Sequence, residues 1–249
     1  MSRSVSLLGQ SFNDMTQAQA LALLLARPRD AAFAYIVTPN ADHLERLHRT
    51  PSLQPVYDAA LLRLLDSRCL AHLARLLGQT PPPVVTGADL SAALLARLGG
   101  QRVAVVGLSA AGCSALRARY PSIDFRHHNP PMGLLHNQEA FAAAARFVQE
   151  AGAAYVFFAL GAPVQELLAH AVMRAGGASG VGLCIGAALE FAAGTRRRAP
   201  LWMQGAGLEW LYRLVLEPRR LGGRYLIRSP RVLALLLAQA SGFRAGSGR

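Results

Sequence analysis

Lysine is absent from this chain of 249 residues, and all 26 basic side chains are arginine. That excludes a lysine Schiff base and the phosphate-binding lysine of a P-loop. Cysteine is scarce as well. Cys69, Cys113 and Cys184 are far apart, odd in number and outside any C-x-x-C spacing. Neither a disulfide framework nor a zinc site is indicated, and all three are expected as small buried apolar residues. Only 14 residues are acidic and Asp-x-Asp occurs nowhere, which removes one usual carboxylate pair for Mg²⁺ or Mn²⁺. No apolar run approaches the roughly 18 residues of a spanning helix, because Arg, Asp or Gly interrupts every candidate. The opening MSRSVSLLGQSFNDM lacks a basic region followed by a continuous apolar one. No secretory signal is expected, and the protein is expected in the cytoplasm, against a membrane rather than across it.

Apolar residues make up 52% of the chain, enough to bury a full core in one large domain or a domain with an appendage. Charge is spread unevenly. Residues 196–249 carry eleven arginines and two acids, whereas residues 1–195 carry 15 arginines and 12 acids. The expected organisation is an almost neutral α/β body over 1–195 and a basic helical appendage over 196–249. In the appendage Trp202, Leu208, Trp210, Leu211 and Leu214 are interleaved with Arg213, Arg219, Arg220 and Arg224. Such a segment suits an anionic lipid surface or a phosphate, which the planar guanidinium fork binds with two parallel hydrogen bonds.

Apolar runs of strand length at 33–37, 61–65, 103–106, 154–160 and 181–185 alternate with helix-period segments near 42–49, 70–77, 90–98, 111–119, 138–151 and 164–175. The strand runs are almost continuously apolar, which predicts burial on both faces. That means a parallel sheet sandwiched by helices, a Rossmann-like fold. Ligands of such sheets bind beyond the carboxyl ends of the strands. The residues placed there are Thr38-Pro39-Asn40, Asp66-Ser67-Arg68, Gly107-Leu108-Ser109, Asn129-Pro130-Pro131, the 161–165 turn from Gly161 to Gln165, and Gly186.

Each of these positions has an ordinary structural alternative. GLSAAGCS (107–114) has the glycines of a Walker A frame but puts Cys113 where lysine is required, and Ser109 breaks a dinucleotide G-x-G-x-x-G. Gly107 is expected to serve a tight strand-to-helix turn, with phosphate or nucleotide contact as the alternative. Asp66 ends an apolar run, where a carboxylate is costly unless it is paired, bonded or used. Capping the helix near 70–77 is its bland role, and Thr38 and Asn40 share that role for the helix around His43. Glu166 stands in a first helical turn, where an acid favours the dipole regardless of function. His127 and His128 lack a third ligand at metal spacing, so hydrogen-bonded or solvated histidines are expected rather than a metal site.

Taken in order, VTPNADHL (37–44), LLDS (64–67), VTGADL (85–90), LGAPVQE (160–166), IGAALEFAAGTRRRAPLWM (185–203) and GLEWLYRLVLEPRRL (207–221) resemble the WecG/TagA/CpsF glycosyltransferases. The resemblance implies an inverting transferase of bacterial cell-surface polysaccharide synthesis. It would move a hexose, N-acetylhexosamine or uronic acid from a UDP-sugar to a polyprenyl-diphosphate-linked saccharide. The reaction would run at the inner face of the plasma membrane, with neither metal nor other cofactor. By the same resemblance Asp66 is the general base, Thr38 and Asn40 form the polar pair of the pocket, and Gln165 is an active-site glutamine. Glu190 stands where the family carries an acid placed to read the nucleobase, and Gly107 and Gly161 would line the donor site. Arg213, Arg220 and Arg224 fall in or beside an appendage that closes over the site and docks it on the membrane. Ser67, Val84 and Glu190 replace the family's usual Gly, Arg and Asp, and bear on donor recognition.

Two other classes stay open on the residues alone. A nucleic-acid module would run its basic tail along phosphates, but it leaves Asp66 and Gln165 without a role, so no nucleic acid is expected as partner. A different nucleotide-dependent Rossmann-type enzyme would be separated by its nucleotide preference.

Overall fold

The computed structural model describes residues 3–222, 231–232 and 234–237. The chain opens with an antiparallel hairpin of β1 (Ser4–Leu7) and β2 (Gln10–Asn13), turned at Leu8 and Gly9, followed by α1 (Gln17–Ala26), which Thr16 caps. Neither hairpin nor α1 is predicted from the sequence. The hairpin buries only Leu7 and Phe12, too few apolar positions for a periodic signal.

The body continues through β3 (Ala34–Val37), α2 (Ala41–Arg49), α3 (Gln54–Asp58), β4 (Leu62–Arg63), α4 (Arg68–Leu76), α5 (Gly87–Leu95), β5 (Arg102–Gly107) and α6 (Ala110–Arg119). It then runs through β6 (Asp124–His128), α7 (Gln138–Glu150), β7 (Tyr155–Ala159), α8 (Val164–Ala175), β8 (Val181–Cys184) and α9 (Ala188–Ala192). β3 to β8 form a six-stranded sheet in the order β4-β3-β8-β7-β5-β6, with every pair parallel. The expected parallel α/β sandwich is what the chain adopts. Successive strand side chains point to opposite faces. Tyr35, Val37, Val106, Val156 and Phe158 pack with residues of α2, α3, α4, α7 and α8. Ile36, Val103, Val105, Phe157 and Leu183 pack with α1, α5, α6 and α9. Helices on both faces explain why the strand sequences are apolar without alternation. Cys113 and Cys184 are buried and Cys69 half-buried, all three as free thiols.

From β3 the chain steps outward to β4, crosses to β5, steps outward again to β6, and returns through β7 to β8 beside β3. β3 and β8 are therefore neighbours whose connections leave in opposite directions, which opens a crevice beyond their carboxyl ends. At the end of β5, Gly107 has φ +88°, and a Cβ there would lie 2.7 Å from the Ala159 carbonyl oxygen. Its turn role is thus set by close backbone approach.

Beyond α9 come α10 (Leu201–Gly205), α11 (Glu209–Leu216) and α12 (Pro218–Gly222). Gly207, at φ +75°, seats this arm on α4, since a Cβ there would lie 2.9 Å from Cys69 N. Trp210 hydrogen-bonds Cys69 at the same contact. Residues 231–232 and 234–237 are helical. Val232 and Leu236 join the core that holds Leu44 and Leu47, and Arg231 pairs with the buried Glu45 at 3.4 Å. Among the described residues no helix is long and apolar enough to cross a membrane.

Candidate active site

The caps at the crevice sort the candidate residues. Asn40 caps α2, its Oδ1 accepting the Asp42 N–H at 3.1 Å, so its ordinary role is real. Thr38 does not cap; its hydroxyl donates to the Cys184 carbonyl at 3.2 Å and ties the end of β3 to β8. Ser67 caps α4 by accepting from Leu70 N at 3.2 Å, which removes capping as the explanation for Asp66. Asp66 instead turns to the start of α5, where its Oδ2 accepts the Gly87 N–H at 3.1 Å. A Cβ on Gly87 would meet Thr38 Oγ1 at 3.1 Å and Asp66 Oδ2 at 3.5 Å. The hydroxyl and the carboxylate thus flank one bare backbone position.

Burial pushes the Asp66 carboxyl up to about 6; the Gly87 N–H and His43 oppose the rise, while Glu209 and Asp89 add to it. A carboxylate in this range is ionised at neutral pH yet basic enough to take a proton from a reacting group.

Across the crevice, α8 presents two buried polar side chains. Gln165 accepts the Gly186 N–H on Oε1 and donates through Nε2 to Glu166 Oε1, both at 2.8 Å. The same Glu166 oxygen stands 3.4 Å from His43 Nε2, and His43 Nδ1 stands 2.8 Å from Asn40 Oδ1. Tyr57 meets the His43 ring edge-on at 6.4 Å. Asn40, His43, Glu166, Gln165 and Gly186 thereby form one polar chain across the ends of β3 and β8. Sequence reasoning missed His43 and Glu166, which it treated as helix residues; the only signal was the unusual pair of polar residues, Gln165-Glu166, behind an apolar strand.

A second cluster binds the C-terminal arm to the body. Arg198 pairs with Asp89 on α5 and, at 3.5 Å, with Glu209 on α11. Asp89 also accepts from Arg68 at 3.1 Å and from Thr86 at 2.7 Å. Burial works against this carboxylate, but Arg198, Thr86 and Arg68 together hold it below the usual range. Arg196 bonds Glu190 at 2.8 Å and also pairs with Glu217. The Glu190 carboxylate, expected at the donor, is thus engaged by an arginine of the arm.

The sequence profile described as the glycosyl transferase WecG/TagA/CpsF family matches residues 5–246. The chain belongs to this family. Curated relatives in Staphylococcus aureus strains NCTC 8325, COL and MRSA252 are each named N-acetylglucosaminyldiphosphoundecaprenol N-acetyl-beta-D-mannosaminyltransferase. They are 31% identical to it over 110 residues. The chain spans 40% of the length of each of these relatives, through 43% of its own.

Within this member of the WecG/TagA/CpsF family the fold gathers Thr38, Asn40, Asp66 and Gln165 at one crevice. Gly161 lies on an exposed turn, and nothing stands within 4 Å of where its Cβ would be. The Gly107 carbonyl accepts from His127 Nε2 at 3.0 Å, and His128 stacks on Phe147, so His127 serves hydrogen bonding and His128 packing. Arg213 is on α11, its Nε buried without an acceptor among the described residues. Arg220 lies on α12, and Arg224 lies outside the described residues. No three His, Cys, Asp or Glu side chains converge into a metal-holding group among the described residues.

Proposed function

We propose that this protein transfers a hexose, N-acetylhexosamine or uronic acid from a UDP-sugar to a saccharide carried on polyprenyl diphosphate, with inversion and without a metal ion. The observation that carries the reading is Asp66, a carboxylate raised to about 6 at the crevice of a parallel sheet, not the cap of α4 and held by one backbone N–H at the start of α5. In the reaction, Asp66 accepts the proton of the acceptor hydroxyl as its oxygen attacks the anomeric carbon. The bond from that carbon to the UDP oxygen breaks on the opposite face, and UDP leaves with the electron pair. Negative charge builds on the departing diphosphate, where backbone donors and Arg213, with Arg220 and Arg224 from the same arm, would stabilise it by several kcal/mol. Thr38, Asn40 and Gln165 shape the pocket. Gly107 turns the chain tightly behind the donor, Gly161 keeps backbone open toward it, and Glu190 acts on it together with Arg196.

The lipid-linked acceptor is supported by the relatives' names, which specify a diphosphoundecaprenol-linked N-acetylglucosamine. Docking on an anionic surface at the inner face of the plasma membrane is supported by the outer side of the arm. There Leu201 is 84% exposed, Trp202 68% and Val215 71%, beside the exposed Arg197 and Arg219. Exposed apolar and aromatic groups bordered by arginine suit the lipid interface. The test is transfer from UDP-N-acetylmannosamine, UDP-N-acetylglucosamine and UDP-glucose to a short-chain N-acetylglucosaminyl-diphosphoprenol, with EDTA throughout. Transfer from any of the three supports the reading, whereas thermal stabilisation by NAD(H) or an oligonucleotide with no response to UDP would sink it.

A further inference from the structure

The Asp66 mechanism leaves a buried charge unused. Glu166 is 1% exposed and its Oε2 has no hydrogen-bond partner among the described residues. A carboxylate removed from water costs several kcal/mol unless a counter-charge and hydrogen bonds offset it. The ring it faces is His43. The Nδ1 of that ring faces Asn40 Oδ1 at 2.8 Å, and this oxygen is fixed as an acceptor because it also caps the Asp42 N–H. Nε2 faces Glu166 Oε1 at 3.4 Å. The same Nδ1 also lies 3.4 Å from the Asn40 N–H, so the ring bridges the start of α2 to the Glu166 carboxylate. The remaining bond of Glu166 Oε1 goes to the Gln165 amide, which orients Gln165 Oε1 onto the Gly186 N–H.

Resting on the transferase reading above, we propose that Glu166, paired with His43, is a positioning residue that locks Gln165 on one side of the crevice and Asn40 on the other. Neither Glu166 nor His43 need touch substrate. The pair sets the spacing of two pocket residues that come from different helices. A displacement of about 1 Å at such residues is enough to lower a rate about a hundredfold.

The test uses the full chain with UDP-N-acetylmannosamine and N-acetylglucosaminyl-diphosphoprenol. Glu166→Met removes charge and acceptor at similar volume. It is expected to lower kcat at least about tenfold while the donor KM changes less than about threefold. The Gly186 amide should then exchange with solvent faster while amides of the β3–β8 ladder do not. Glu166→Gln, which keeps an acceptor for Gln165, should restore Gly186 protection and part of kcat. Unchanged kcat, or a fall in kcat with Gly186 protection intact, overturns the proposal. Should Glu166→Met fail to fold, a cycle of Glu166→Gln, His43→Gln and their double variant decides. A double variant no slower than the worse single one supports a unit, and additive losses overturn it. Wild-type protein that transfers no sugar overturns the transferase reading and this proposal together, a result distinct from an active wild type with an equally active Glu166 variant.

Discussion

The crevice around Asp66 and the clasp around Asp89 lie on either side of the Thr86-Gly87 turn, and they hold their carboxylates in opposite states. Asp89 has two arginines and a threonine hydroxyl and is held acidic. Asp66 has one backbone N–H, is pushed upward by burial and by the nearby Glu209, and sits near 6. Both are partly buried acids at the edge of one sheet, so type and depth alone do not decide their use. A buried charge with full compensation is structure, and one left under-compensated is available for chemistry. The comparison also divides the arginines of the arm. Arg196 and Arg198 reach carboxylates, whereas Arg213 pairs with none among the described residues; Arg198 and Arg213 alike keep a buried Nε without an acceptor among them.

The largest break in this contrast is Asp66→Asn. Steady-state transfer should fall about 10²- to 10⁴-fold, with thermal stabilisation by UDP retained; loss of UDP binding and folding together would make Asp66 structural. The same variant has a stability signature. A carboxyl raised in the folded state contributes stability that is complete below its unfolded value of about 3.9 and is lost as pH rises through about 6. Denaturant titrations should therefore find Asp66→Asn more stable than wild type at pH 8, by on the order of 2 kcal/mol, with the gap closing near pH 4.

Next in size is Arg198→Ala, which strips Asp89 and Glu209 of the guanidinium that joins them. An expected cost of about 1–3 kcal/mol would appear in denaturant titrations, together with faster limited proteolysis between α10 and α11. Arg198→Lys should recover little, because a single ammonium does not span both carboxylates. Equal proteolysis rates would remove the clasp from the account.

Smaller still is Trp202→Ser, expected to reduce partitioning onto anionic vesicles roughly threefold to tenfold while transfer to a short-chain acceptor in detergent is unchanged. The finest test is the pH profile. Log kcat/KM should rise with unit slope below about 6 and level above it. Glu209→Gln should move that midpoint down, since Glu209 disfavours the ionised Asp66.

Parts of this arrangement are legible in the residue order alone. Continuous apolar runs gave the parallel sheet, and the rule that ligands sit beyond strand ends put Thr38, Asn40, Asp66 and Gln165 on one rim. The hairpin and α1 were not legible, because so few of their residues are buried at regular spacing. Composition marks 196–249 as a basic appendage to a neutral body; it does not mark that Val232 and Leu236 lie in the core or that Arg198 reaches α5. A truncation after Gly194 would therefore remove core contacts along with the arm, and point substitutions separate the two effects better.

By itself the sequence determined the fold class, the family and the exclusion of lysine chemistry, since all three depend on residue type and local order. Tertiary structure alone decided which charges are spent and which are free. Asp89 meets Arg198 across 109 positions of sequence, and Glu166 meets His43 from another helix. The state of a buried carboxylate is set by whatever lies within a few ångströms of it, and that neighbourhood exists only once the chain has folded.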